Sequence, residues 1–346
     1  MHFPFSIRRT SALLLPLLLA ACSVPTEPRT TADAPAGKPA PVWPAPPAEP
    51  RIRWIGQIAN PADLDIQVPF LSRVGNFLTG GDRGREQLVR PFGVGVDETG
   101  NLCVTDPGAG AVCYYDRARH QYRRWTKAGT VPFDTPVAVA KRSGLIYVAD
   151  SGRQEVVALD EQGRVQWRIT EESDRPSGLA LDGDRLYVAC SNTHVVRVYD
   201  LQGHALSQFG GRGVEPGKFN FPTHISTDGR GNIYVTDAMN SRVQVFTRDG
   251  GYVRTIGSLG DGSGHFSRPK GIAVDSQGRI YVGDALFDNV QIFDHDGRFL
   301  LDFGAAGSQR GEFWLPAGLA ITPDGRIYVA DSYNRRLQVF QYLAAP

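Results

Sequence analysis

Charge of one sign is the first thing this sequence lacks. Among its 346 residues, 37 Lys and Arg stand against 36 Asp and Glu, a formal net charge of +1. No global positive field is available to hold a phosphate backbone, so nucleic acid is not an expected partner. The apolar stretch of Leu13, Leu14, Leu15, Leu17, Leu18 and Leu19 falls short of the roughly 20 residues that cross about 30 Å of hydrocarbon. No glycine-rich connector ends in Gly-Lys-Ser/Thr before a helix, which removes a phosphate-binding loop. A Gly-x-Ser-x-Gly elbow is missing as well, so no nucleophile is nominated. What the chain has in quantity is turn formers, with 39 Gly and 24 Pro beside 41% hydrophobic residues. That composition implies a globular fold of many short strands rather than a helical bundle.

The N-terminus reads as an address. Arg8 and Arg9 precede the leucine stretch in the order of a signal peptide. The stretch ends in Leu19-Ala20-Ala21-Cys22, which resembles the bacterial lipobox. The resemblance implies cleavage after residue 21 and a lipid on the Cys22 thiol. Ser23, in place of Asp, resembles lipoproteins sorted to the outer membrane, so the expected location is that membrane, facing the periplasm. Residues 22–50 carry Pro25, Pro28, Pro35, Pro39, Pro41, Pro44, Pro46, Pro47 and Pro50. Such a segment favours extended polyproline conformation and reads as a spacer between lipid and domain.

Residues 51–346 read as one domain built on a repeat, with residues 59–89 outside it. Six segments begin at Pro91, Pro136, Pro176, Pro222, Pro269 and Pro316, a period of roughly 45 residues that marks a propeller or solenoid. After each Pro comes a small apolar strand, as in Gly271-Ile272-Ala273-Val274-Asp275, then a glycine turn and a second strand, as in Ile280-Tyr281-Val282. The second strand ends at Asp106, Asp150, Cys190, Asp237, Asp284 or Asp331. A third strand alternates with period two, as in Val243-Gln244-Val245-Phe246, and a fourth follows, as in Phe299-Leu300-Leu301-Asp302-Phe303-Gly304. Four antiparallel strands per repeat make a propeller blade, so the fold class is all-β, a six-bladed β-propeller.

Pro316 to Phe340, with Ile327-Tyr328-Val329-Ala330-Asp331 and Asn334-Arg335-Arg336-Leu337-Gln338-Val339-Phe340, resembles the NHL-repeat family. That resemblance covers all six blades and implies the fold, but it leaves the ligand open, because the family spans protein binders, RNA binders and enzymes. The last repeat lacks a fourth strand. Arg51-Ile52-Arg53-Trp54-Ile55-Gly56 resembles the fourth strands of other blades, and it is expected to pair with blade six and close the ring without an open edge.

The departures from the repeat are the candidate sites. The recurring Asp reads as a turn residue accepting backbone N–H bonds. Peptide-amidating lyases of similar fold place zinc-binding His two residues after the repeat Pro on several blades, whereas here those positions are Gly93, Ala138, Gly178, His224, Gly271 and Gly318. One His falls short of the three protein ligands of a catalytic zinc site. The inner strands also lack the oxygen ligands that calcium-dependent lactonases need, so neither metal nor cofactor is expected. His224 is left as a packing residue or a ligand contact.

Cys103 and Cys113 fall on adjacent strands of blade one. In an oxidising periplasm they form either a cross-strand disulfide or two separately packed thiols. Cys190 reads as a buried, inert thiol. Between the closing strand and blade one, Phe70, Leu71, Val74, Phe77 and Leu78 fall at amphipathic helical spacing. They belong either to a helix or loop packed across the propeller end or to a partner- or membrane-contacting element.

These readings converge on a non-catalytic binding or scaffold propeller tethered by lipid to the envelope membrane, recognising a protein or envelope component. The alternative is a lyase or lactonase with its active site on a propeller face.

Overall fold

Each repeat folds into its own antiparallel sheet. The computed structural model describes residues 39–67, 86–170 and 174–344, and the described residues from Ala40 onward belong to one compact unit. The first strands of the repeats are Val94–Val96, Pro136–Arg142, Pro176–Asp182, Pro222–Thr227, Pro269–Val274 and Pro316–Ile321. Each touches the first strand of the next repeat, and the sixth touches the first, so these strands line the centre of a closed six-bladed ring.

Within a blade the strands run outward in sequence order. Blade four is typical, with Pro222–Thr227, Asn232–Asp237, Arg242–Thr247 and Tyr252–Ile256 paired in succession. Pro222 opposes Asp237 but Ile225 opposes Val235, and the same shift recurs behind Pro269 and Pro316. A proline at the head of a strand has no N–H for the ladder, and the irregularity accommodates it.

The second and third strands are pressed between neighbouring blades on both faces, so they carry near-continuous apolar runs. Leu102–Asp106 and Ala111–Asp116 are buried throughout. Phe246, Phe293 and Phe340 on third strands meet Phe219, Phe266 and Phe313 of the preceding connectors, with ring centroids 5.3, 5.6 and 5.7 Å apart. Full burial of one such ring contributes about 2–3 kcal/mol, so each pair fastens a connector to its blade.

Closure follows the sequence expectation. Ile52–Ile58 pairs antiparallel with Arg336–Tyr342, from Ile52 opposite Tyr342 to Ile58 opposite Leu337. Val42–Trp43 adds a short strand outside it, and the Trp43 ring packs 5.9 Å from Phe303 and 5.7 Å from Phe340. The end of the proline-rich segment is therefore part of blade six's packing.

Beyond the closing strand, Asn60 caps the 3-10 turn Pro61–Leu64, with Asp63 returning the bond. The Leu88 N–H donates to the Ala59 carbonyl at 2.8 Å, and Ile66 and Leu88 are buried in the cluster that joins blades six and one. Both described ends of the insertion are thus pinned to the propeller. Phe70, Leu71, Val74, Phe77 and Leu78 lie outside the described residues. Among those described, no helix is long and apolar enough to cross a membrane.

Candidate functional site

The connectors that carry the chain from one blade's outer strand to the next inner strand all emerge on one face, together with the turns between second and third strands. The recurring Asp organises this connector face. The Asp284 carboxylate accepts the N–H groups of Ser267 and Arg268 in the connector before its blade and of Leu286 in the turn after it. Asp106 binds Val89 and Arg90 in the same way, and Asp150 binds Asp134 and Thr135. The sequence suggested a local turn role, yet most of these bonds reach 15–17 residues back along the chain.

A second anchor was not read from the sequence. Gln244, Gln291 and Gln338 each accept a connector glycine N–H and donate to the next carbonyl of that connector, at Lys218, His265 and Glu312. The signal was present, since Gln recurs at one position opposite Gly-x-Phe in three blades.

Inner strands approach one another closely just below this face. A Cβ on Gly271 would stand 2.1 Å from the Ala317 carbonyl oxygen, and one on Gly318 2.4 Å from that of Phe92. Small residues are therefore required around most of this level. His224 is the exception among the six positions, and its ring stacks on Phe92 with centroids 5.6 Å apart and planes 24° from parallel.

Neither ring nitrogen of His224, nor the neighbouring Thr223 hydroxyl, has a hydrogen-bond partner among the described residues. Burial, with the Lys270 ammonium adding to it, pushes the imidazole down to about 3, so it is neutral at ordinary pH. Lys270 follows the blade-five Pro and holds its Nζ 5.6 Å from the Phe92 ring centroid. Burial, then repulsion from Arg268, lowers its pKa.

His224, Lys270 and Phe92 line a cavity of about 300 Å³ that opens on the connector face, within the size range of small-ligand sites. Phe221 forms another wall. Its N–H donates to His194 Nδ1 at 3.0 Å, which holds it in a left-handed conformation with φ 53°. In blade five Asp288 does the same for Leu315, at 2.7 Å. Arg175 stands exposed at the rim, and no lining residue is acidic. Beneath His224 the channel narrows to about 40 Å³. Among the described residues, no cluster of three His, Cys, Asp or Glu side chains is placed to hold a metal ion.

Beside the cavity, three consecutive blades present apolar side chains at the same place, two residues after the recurring Asp. These are Met239, Leu286 and Tyr333, exposed by 56%, 55% and 47%. The Trp314 ring packs against Tyr333, with centroids 5.4 Å apart and planes tilted by 39°. Blades one to three carry Gly108, Gly152 and Asn192 there, so the apolar crescent covers only one half of the face.

Of the other sequence candidates, the structure decides between the two readings of the blade-one cysteines. Cys103 opposes Tyr114 and Cys113 opposes Val104, successive rungs whose side chains point to opposite faces of the sheet. Cys113 packs with blade six and Cys103 with blade two. The cross-strand disulfide is therefore not formed, and both are free, buried thiols, as is Cys190. His120, His204, His265 and His295 are exposed.

Comparison with known proteins agrees with this architecture. The NHL repeat model matches residues 266–293 and 313–340, and a 6-bladed beta-propeller model matches residues 227–278. The chain folds as a six-bladed β-propeller and carries NHL repeats in its last two blades. A model described as outer membrane protein assembly factor BamB also matches residues 78–215.

Solved structures similar to this NHL-repeat propeller include a catalytically inactive virginiamycin B lyase from Staphylococcus aureus with quinupristin. It is 11% identical, covering 73% of this chain and 95% of that one, with a TM-score of 0.54. Kuenenia stuttgartiensis hydrazine synthase is 15% identical over 73% and 96%, with a TM-score of 0.54. A Bacteroides thetaiotaomicron protein of unknown function is 19% identical over 75% and 71%, with a TM-score of 0.59. At these identities the likeness concerns the fold alone.

Proposed function

We propose that this NHL-repeat propeller is a non-catalytic binding module, held at the cell envelope by lipid on Cys22, that recognises a protein or other envelope component through its connector face. The observation that carries this reading is the crescent of Met239, Leu286, Trp314 and Tyr333 on blades four to six. Isolated exposed apolar residues are ordinary, but equivalent ones on three consecutive blades beside a cavity mark a contact surface. The anchor is supported by the lipobox resemblance and the proline-rich segment after it. The match to a family described as an outer membrane assembly factor supports location at that membrane, facing the periplasm.

The test is crosslinking and affinity capture with the full chain in its own cell. Substituting Trp314→Ala with Tyr333→Ala is expected to remove partners that survive a control substitution of Leu206→Ser, at a residue exposed on an outer strand. Equal recovery from both variants would overturn the assignment to the connector face. For the anchor, radiolabelled palmitate is expected to label the wild type and not Cys22→Ala.

A further inference from the structure

The cavity beside the crescent has a chemistry of its own. The serine hydroxyls around it are engaged by the fold. Ser151 donates to the Pro176 carbonyl, Ser177 to that of Pro222 at 2.8 Å, and Ser191 to that of Arg175 at 3.2 Å. What remains is the Lys270 ammonium, the Thr135 and Thr223 hydroxyls and the His224 ring, with the Arg175 guanidinium at the rim. No carboxylate pairs with Lys270 among the described residues. A half-buried ammonium next to unpartnered hydrogen-bonding groups is costly unless something supplies the missing charge.

We infer that this cavity is an anion subsite, which takes a carboxylate carried on an aromatic or aliphatic body, with Lys270 as its counter-charge and His224 and Thr223 as hydrogen-bonding partners. The inference rests on the connector face being the binding face. Two features select a carboxylate over a phosphate. The walls at Phe92 and Phe221 are aromatic and suit an apolar body. The neutral imidazole contributes a single donor, which leaves Lys270 as the full charge inside the described lining and Arg175 at the rim.

Benzoate, benzamide and inorganic phosphate, titrated calorimetrically into the purified full chain, test it. Benzoate is expected to bind. Benzamide, of the same shape without charge, and phosphate, with charge but no apolar body, are each expected to bind at least tenfold more weakly. Lys270→Met should weaken benzoate at least tenfold and, by removing an unpaired cation, raise the thermal midpoint. A purely structural lysine would lower that midpoint.

Benzamide binding as well as benzoate, or benzoate binding unchanged by Lys270→Met, would overturn the proposal, as would no benzoate binding at all. Phosphate binding tighter than benzoate would overturn the carboxylate assignment. These failures are distinct from failure of the connector-face reading, which is judged by partner recovery with the Trp314 and Tyr333 variants.

Discussion

Lys141, on the inner strand of blade two, places its Nζ 2.5 Å from the Asp97 carboxylate of blade one and 3.0 Å from Glu161. Lys141 and Asp97 side chains are only 5% and 1% exposed, so each ion depends on the other for its solvation. Burial alone would raise Asp97, but the Lys141 bond and those from Thr99 and Asn101 bring it below the usual carboxylate range. The depressed carboxyl contributes stability above its unfolded value near 4, and that contribution is lost as the pH falls through the folded value. Lys141→Met strands the acid and is expected to cost about 3 kcal/mol in denaturant unfolding at pH 7. The double variant Lys141→Met with Asp97→Asn should recover part of it.

The thiols offer a second check. Cys103, Cys113 and Cys190 are buried and free, and burial pushes Cys113 up to about 11 and Cys190 to about 12. All three are expected to resist a thiol reagent at pH 8 in the native protein and to react together on denaturation without prior reduction. A requirement for reductant would mean that Cys103 and Cys113 are bridged after all.

What the sequence made legible follows from what repeats. The Pro of every blade, the Tyr and Asp of five of the six, and the Phe of the last three are copies of one packing solution, so the recurrences expose both the blade count and the need for Ile52–Ile58 to complete the sixth. The alternation of Cys103 and Cys113 was legible in principle, since the parity of their positions across the hairpin fixes which face each takes. Sequence could not place the turn that sets that parity. The crescent was also invisible, because Met239, Leu286 and Tyr333 belong to variable turns and become neighbours only when blades four to six are set side by side. His224 stood out by residue type, while its missing hydrogen bonds and the ammonium of Lys270 appeared only in three dimensions.

The Asp anchors predict a graded response. Asp284 is fully buried and accepts from connector and turn N–H groups on both sides. Asp284→Ala leaves those donors unsatisfied, and unfolding experiments should show a loss of about 3 kcal/mol. Asp284→Asn retains one acceptor oxygen and should lose less. Equal losses from the two variants would show that charge, and not acceptor count, is what the connector uses.

The imidazole of His224 gives a prediction with a definite sign. Unfolded, it titrates near 6.5, whereas in the fold it is pushed down to about 3 by burial, with Lys270 adding to the effect. Between those values the unfolded chain binds the extra proton, so acidification draws the equilibrium toward unfolding by up to about 1.4 kcal/mol per pH unit. The groups facing the ring are Phe92, Thr223 and Lys270, and no carboxylate in the cavity lining offsets the effect. His224→Gln removes the titrating group while keeping a polar side chain of similar length. Its unfolding free energy should fall less than the wild type's between pH 7 and pH 4.5, the gap reaching about 2.5 kcal/mol. Matching slopes would mean that the imidazole gains a proton in the folded state, with an anion or water inside the cavity to receive it.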